Sequence, residues 1–265
     1  MSDTNIALSG CLGRMGGVIS GLVKSRNDCR VAAGIDPSFA SESVDSSNSV
    51  RDFPVYNRIF DINERVNVVI DFSHPSALPD LLTYCKTKNL PLVISTTGYS
   101  AEQVGEIKSA ASQIPVFFSG NMSLGINLLQ DLARRAVRVL GEQFDVEIIE
   151  KHHNLKKDSP SGTAHMLAES VKEEYAKSGK SKQYIYDRHN VLKARGKNEI
   201  GLHSVRGGTI VGEHEIVFAG HDEVITLTHS ALSKEVFAVG AINAAIFMKS
   251  QNRGLYNMYD LLKSV

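Results

Sequence analysis

No sign of charge predominates in this chain: Lys+Arg and Asp+Glu number 29 each in 265 residues, and the formal net charge is zero. The broad basic field that non-specific nucleic-acid binding needs is missing. Aromatic and basic residues are not interleaved either, so no nucleic-acid partner is expected. Cysteine is scarce. Cys11, Cys29 and Cys85 are an odd number with no CxxC spacing, which argues against a disulfide framework and a thiolate zinc site and fits a reducing compartment. Long apolar runs are lacking as well. The longest, Val236 to Met248, is broken by Asn243 and falls short of the roughly 20 residues that span a bilayer. Met1-Ser2-Asp3-Thr4-Asn5 shows no basic segment leading into an apolar one, the pattern of a secretory signal. A cytoplasmic protein with no membrane role is expected.

Apolar residues make up 42% of the chain and charged residues 22%, close to globular averages, and the length suits one large domain or two small ones. Residues 5–9 predict a short strand, Gly13 to Ser25 a helix and Arg30 to Asp36 a second strand, together a βαβ unit. The alternation continues through Val66 to Phe72, a helix after Pro75, Leu90 to Ile94, a helix from about Ala101, and Val116 to Phe118. Short apolar strands separated by helices indicate a parallel sheet buried on both faces. Ser123 can cap a helix with apolar residues at Leu128, Leu129, Leu132, Ala136, Val139 and Leu140, ended by Gly141. Beyond it, Phe144 to Lys151, Glu199 to Arg206, Thr209 to Ala219 and Glu223 to Ser230 predict strands. Gly207-Gly208 and Gly220-His221-Asp222 are placed as hairpin turns between the last three, so a second, open and mixed, largely antiparallel sheet is expected. The Lys-rich stretch Lys177 to Lys197 is expected as a solvated loop. Phe237 to Lys249 is expected as an apolar helix that returns to the first domain.

Gly10-Cys11-Leu12-Gly13-Arg14-Met15-Gly16 lies between the first strand and the first helix. Glycines there permit a tight turn and let backbone N–H groups reach a pyrophosphate at a helix N-terminus. Asp36, 20 residues after Gly16, stands where a carboxylate would accept ribose hydroxyls. The spacing is GxxGxxG rather than GxGxxG, so it is the placement between strand and helix that points to a dinucleotide. Pro37 offers no cation to a 2′-phosphate, which leans toward NADH over NADPH. Gly10, Cys11, Leu12, Gly13, Arg14, Met15 and Asp36 are the cofactor-binding candidates. Two loops at strand carboxyl ends join them: Ser95, Thr96 and Thr97 in one, Ser119, Gly120, Asn121 and Met122 in the other. Their small polar groups suit hydrogen bonds to a cofactor amide.

Only His74 among nine histidines precedes Met122, which places proton chemistry in the second half. The richest stretch, Glu150 to Ala164, reads EKHHNLKKDSPSGTA. His152 and His153 leave a strand end toward opposite faces, and Pro160, Ser161 and Thr163 open a helix that runs to Gly179. A helix N-terminus flanked by Lys156 and two imidazoles suits a carboxylate ligand. A metal site would draw on Glu147, Glu150, His152, His153, Asp158 and His165. Their spacing fits no HExxH or Cys/His pattern and two lysines oppose a cation, so no metal is expected. His203, His214 and His229 read as structural.

That stretch fits E-x-H-H-x-x-K-x-D-x-P-S-G-T-A at every fixed position. With GCLGRMG, DFSHP (Asp71 to Pro75), STTG, NMSLG (Asn121 to Gly125) and RGGTIVGEHE (Arg206 to Glu215), the chain resembles the 4-hydroxy-tetrahydrodipicolinate (dihydrodipicolinate) reductase family from about residue 5 to about 250. The resemblance implies an α/β protein with a Rossmann-like, doubly wound dinucleotide-binding domain over 1–122, rejoined by about 235–265. It implies an α+β substrate-binding and oligomerisation domain over 123–234, in a homotetramer. The implied reaction is hydride transfer from NADH or NADPH to a cyclic, unsaturated dicarboxylate, giving tetrahydrodipicolinate on the diaminopimelate route to lysine. His152 matches the family's proton donor/acceptor and Lys156 its proton donor; His153, Lys156, Gly162 and Thr163 fall on substrate-contact positions. Ser95 replaces the first Gly of the family's GTTG, Met122 its usual Phe, and Ser159 an Ala. Pro37 stands where many members carry Arg or Lys, so NADH preference or dual use is expected. A reductase of another cyclic imine acid and a non-catalytic NAD-binding sensor share the architecture; the intact His152, His153 and Lys156 set weighs against the sensor.

Overall fold

The computed structural model describes residues 4–39, 51–189 and 192–264; Met1, Ser2 and Asp3 of the opening segment, and residues 190 and 191 of the Lys-rich stretch, lie outside the described residues. The chain divides into two compact units, Met1–Leu124 with Lys234–Val265, and Gly125–Ser233. The first begins with β1 (Thr4–Ser9), α1 (Arg14–Val23), β2 (Cys29–Ile35), β3 (Val55–Tyr56), β4 (Val68–Asp71), α2 (Leu78–Lys88), β5 (Leu92–Ile94), α3 (Ala101–Ala110) and β6 (Pro115–Phe118). The second holds almost all of α4 (Leu124–Leu140), then β7 (Asp145–His152), α5 (Gly162–Lys177), β8 (Gln183–Ile185), β9 (Glu199–Arg206), β10 (Gly212–Ala219) and β11 (Val224–Ala231). The chain then returns to the first unit with α6 (Glu235–Met248), β12 (Gly254–Tyr256) and α7 (Met258–Lys263).

The first unit is built on a seven-stranded sheet in the order β12-β6-β5-β4-β1-β2-β3, parallel at every ladder. Alternate residues of each strand fill opposite layers, which is why the strands read as unbroken apolar runs. Ile6, Leu8, Val68, Ile70, Val93 and Phe117 pack in one layer with α1, α6 and α7. Ala7, Ala33, Ile35, Val69, Leu92, Ile94 and Val116 pack in the other with α2 and α3. The strand order reverses beside β1, and open α/β sheets bind ligands at the carboxyl edge of such a point. The short edge strands β3 and β12, two and three residues long, carry no periodicity and were not legible.

In the second unit the sheet order is β11-β10-β7-β9-β8. Strand β10 runs antiparallel to β11 and β7, whereas β7, β9 and β8 run parallel. The sheet is open and mixed, but the expected hairpin at Gly207-Gly208 is absent. That pair carries the chain across the end of β7: Gly207 N donates to His152 O at 3.0 Å, and Asn154 N to Gly208 O at 3.2 Å. A glycine pair marks a turn without fixing which strand the chain rejoins. Gly220–Asp222 does close the β10–β11 hairpin. The Lys177–Lys197 stretch is not wholly a loop, since it holds β8. The stripe expected on α4 is also displaced. Leu129 is buried, but with Ile126, Ala133 and Val137, while Leu128, Leu132 and Val139 are exposed. Two apolar rows share the helical period, and spacing alone does not choose between them. Among the described residues, no helix is long and apolar enough to cross a membrane.

Helix α6 lies so close to the chain after β6 that a Cβ on Gly240 would stand 1.7 Å from Met122 O. Gly240→Ala is expected to destabilise the first unit by about 3 kcal/mol, the upper end of overpacking costs. Thermal denaturation checks this; an unchanged Tm would contradict the packing.

Candidate active site

Each cofactor candidate stands at the carboxyl edge of the first unit's sheet. Gly10 leaves β1 at φ 77°, and a Cβ there would stand 2.4 Å from Phe72 O. Gly16 is equally constrained, with Gly10 O 2.3 Å from a Cβ position. Gly10 N donates to Ile35 O at 2.8 Å and Gly13 N to Gly10 O at 3.1 Å, which winds the turn into α1. Gly13 caps that helix with no side-chain hydrogen bond, so its N-terminal amides are not engaged by a side-chain cap. Asp36 follows β2 and accepts from Leu12 N at 3.1 Å and from Ser38 Oγ at 2.6 Å. A carboxylate has about four acceptor sites, so capacity remains for a ribose hydroxyl.

Buried Asp71, at the end of β4, accepts from Ser73 N at 3.2 Å and Tyr99 Oη at 3.1 Å. Ser73 N also donates to Thr96 Oγ1 at 2.9 Å, which locks the β4 and β5 loops together. Ser95 and Thr96 are buried and Thr97 exposed; Ser95 Oγ is buried without a partner. After β6, Ser119 Oγ donates to Asn121 O at 2.8 Å, Gly120 is exposed and Met122 is buried. A turn that only glycine fits and an orphaned hydroxyl at the same sheet edge suit a dinucleotide. Pro37 is exposed and supplies no cation. Arg51, which spacing did not single out, does reach the turn, donating from Nη2 to Cys11 O at 3.1 Å.

In the second unit the Glu150–Ala164 stretch leaves β7 and enters α5. Glu150 and His152 share a face because they are two residues apart on a strand. The Glu150 carboxylate is fully buried. It lies 2.5 Å from His152 Nδ1 and accepts from Arg206 Nη1 and Nη2 at 2.8 and 2.6 Å and from Ser161 N at 3.1 Å. Burial raises its pKa, but the contacts with Arg206 foremost, and with His152, outweigh that and hold it at about 2. Ser161 caps α5, its Oγ accepting from Ala164 N at 3.2 Å and pairing with His214 Nε2 at 3.1 Å. The His214 and His152 rings meet edge to face with centroids 5.3 Å apart. Lys156 Nζ lies 2.8 Å from Asp158 Oδ2, and Arg206 Nη2 donates to Asp158 O at 2.8 Å. His153 Nδ1 is buried without a partner. Gly162 is exposed, with nothing within 4 Å of a Cβ position, and Thr163 follows it in the first turn of α5.

The structure thus brings His152, His153, Lys156, Gly162 and Thr163 to one end of the second unit and adds Glu150, Arg206 and His214. Among the described residues, no three His, Cys, Asp or Glu side chains are arranged to hold a metal ion. Glu147 is committed to Arg188, Arg195 and His203 instead. Buried His214 touches both His152 and the α5 cap. Burial, then the charge of His152, pushes its pKa down to about 4.

An unfolded histidine titrates near 6.5, so between about pH 6.5 and 4 the unfolded chain binds a proton at His214 that the folded chain does not. Stability is expected to fall as pH is lowered through that window. In His214→Gln the slope, measured by denaturant unfolding at a series of pH values, should shrink by up to one proton's worth. Identical slopes would contradict the assignment.

Family models described as "Dihydrodipicolinate reductase, N-terminus" and "Dihydrodipicolinate reductase, C-terminus" match residues 4–122 and 125–262. The 4-hydroxy-tetrahydrodipicolinate reductase of Clostridium tetani is 47% identical over 98% of this chain and 97% of its own length. That of Caldanaerobacter subterraneus subsp. tengcongensis is 46% identical over 97% and 98%. A dipicolinate-bound dihydrodipicolinate reductase from Paenisporosarcina sp. TG-14 superposes with a TM-score of 0.78 at 25% identity, covering 97% of this chain and 98% of that one. A probable dehydrogenase from Thermotoga maritima, 11% identical with a TM-score of 0.63 over 98% and 93% of the two chains, shares the fold alone. By its sequence over nearly its whole length, the chain belongs to the dihydrodipicolinate reductase family.

Proposed function

We propose that the chain reduces 4-hydroxy-tetrahydrodipicolinate, by way of dihydrodipicolinate, to tetrahydrodipicolinate with NADH or NADPH, in the diaminopimelate route to lysine. The observation that carries this reading is the gathering of two imidazoles and an ammonium group at the mouth of α5. A ring with two carboxylates needs cations and N–H donors. Lys156 supplies charge, the orphaned Nδ1 of His153 a hydrogen bond, and Gly162 lets a carboxylate approach the backbone beside Thr163. The Lys156–Asp158 pair is open to water on the Asp158 side, which is 62% exposed. Such pairs are worth about 0–1 kcal/mol, so a substrate carboxylate can displace Asp158.

Gly10 to Met15 would hold the cofactor's pyrophosphate, Asp36 its ribose, and Ser95 to Thr97 with Ser119 to Met122 its amide end. When bound, the reduced nicotinamide supplies the hydride. Hydride arrival on a conjugated imine leaves electron density that must be protonated. Lys156 donates that proton, and His152 accepts or returns one at Nε2. Asp36-Pro37 supports NADH preference or dual use, and Arg51 brings a cation against the glycine turn. The exposed Val224 of β11 and Leu232 beyond it suit burial by another copy in a cytoplasmic homotetramer.

The test is loss of reduced-nicotinamide absorbance on adding the enzymatic aldol product of pyruvate and aspartate semialdehyde, with each cofactor, and with and without chelator. Turnover insensitive to chelator is expected; cofactor binding without turnover would identify a sensor instead. Lys156→Ala should lower kcat by about 10²–10⁴-fold, the usual contribution of a positioned acid, with little change in cofactor affinity. Undiminished turnover would contradict its role. A KM for NADPH far below that for NADH would overturn dual use.

A further inference from the structure

We infer that Glu150 is a positioning residue that fixes the proton-carrying tautomer of His152 and registers that imidazole to the mouth of α5; this rests on the reductase reading above. The geometry begins with a carboxylate that burial alone would not leave charged. Arg206 meets it through both Nη atoms at 2.8 and 2.6 Å, and the Ser161 amide at 3.1 Å fills a third position. Such a bidentate guanidinium contact keeps a buried carboxylate ionised. An ionised carboxylate has no hydrogen to give. The proton in the 2.5 Å contact with His152 Nδ1 therefore sits on Nδ1.

The lone pair is then on Nε2. Only that nitrogen gains or releases a proton in the reaction, while Nδ1–H stays bonded to Glu150 throughout. When Nε2 takes a proton, the imidazolium charge forms against the carboxylate, which stabilises it. Gly212 keeps Nε2 approachable, since a Cβ there would stand 3.1 Å from it. The ionisable groups around His152 are Glu150 on its own strand and Arg206 from β9, which reaches Glu150. His214 comes from β10, and Lys156 and Asp158 come from the loop beyond β7.

The same carboxylate accepts the Ser161 amide, and Ser161 caps the helix that carries Gly162 and Thr163. One side chain therefore sets both the orientation of the imidazole and the position of the helix mouth. A purely structural ion pair would do neither.

The experiment uses the intact protein with ring-labelled histidine. Nitrogen and carbon shifts, assigned to His152 with a His152→Gln control, report the tautomer. The Nδ1–H form is expected in the wild type, and an Nε2–H form there would overturn the inference with no variant needed. Glu150→Gln should convert His152 to a mixture of tautomers and lower kcat by on the order of 10²-fold or more. The KM for the dicarboxylate should change far less, and Glu150→Asp should restore part of kcat. Because Glu150→Gln leaves the Arg206 charge without its carboxylate, Glu150→Gln/Arg206→Gln serves as the folded control and should show the same loss. A kcat loss with the Nδ1–H form retained would mean a structural role only and would sink the inference. Wild-type protein that turns over no substrate would instead sink the reductase reading, whichever tautomer it shows.

Discussion

The end of the second unit is organised by a single buried negative charge. Glu150 sits where β7 leaves the core, and its carboxylate is bonded from three directions: by Arg206 of β9, by the backbone ahead of α5 and by His152 one turn of the pleat further on. Removing one partner of such a pair costs about 3–5 kcal/mol because the other is left buried and charged. The arrangement is consequently all or nothing. Strand β9 runs parallel to β7, and the chain beyond it crosses the end of β7 instead of turning back in a hairpin. Only from that strand does Arg206 come alongside Glu150, and only by that route do the amides of Gly207 and Asn154 knit the crossing to the end of β7.

The first unit meets a different constraint by a different means. At its sheet edge the chain turns back on itself too tightly to leave room for side chains. Gly10 and Gly16 are accordingly pressed onto carbonyl oxygens closer than any Cβ permits. Asp36 and Asp71 serve as tethers there, the first holding the glycine turn to β2, the second holding the loop after β4 to the one after β5. At this edge the carboxylates bonded to neighbouring loops add to the apolar packing of Cys11 and Met122 in the core.

The parallel sheet, the glycine turn and the start of α5 were legible because each follows from local rules: strand length, capping chemistry and the conformations only glycine adopts. The pairing of Glu150 with His152 was within reach too, since a period of two puts them on one face. Arg206 and His214 were not. They arrive 56 residues beyond Glu150 and 53 beyond Ser161, and no local pattern brings those positions together. The same limit explains Gly207-Gly208, where the turn was readable and its destination was not. On α4 the apolar period was right, yet the choice of Ile126, Leu129, Ala133 and Val137 over the neighbouring row depended on which face met the sheet.

Helix α6 brings a final consequence for how the protein is made. Ala238, Ala241, Ile242, Ala244, Ala245 and Met248 complete the layer over β1, β4, β5 and β6, yet they are translated only after the whole of Gly125–Ser233. During synthesis the nascent sheet therefore has only α1 over one apolar side until the rest of its cover emerges more than a hundred codons later. The inserted unit, contiguous in sequence, has no such wait. Biogenesis is ordered by that interruption, the second unit closing its own core before the first can finish.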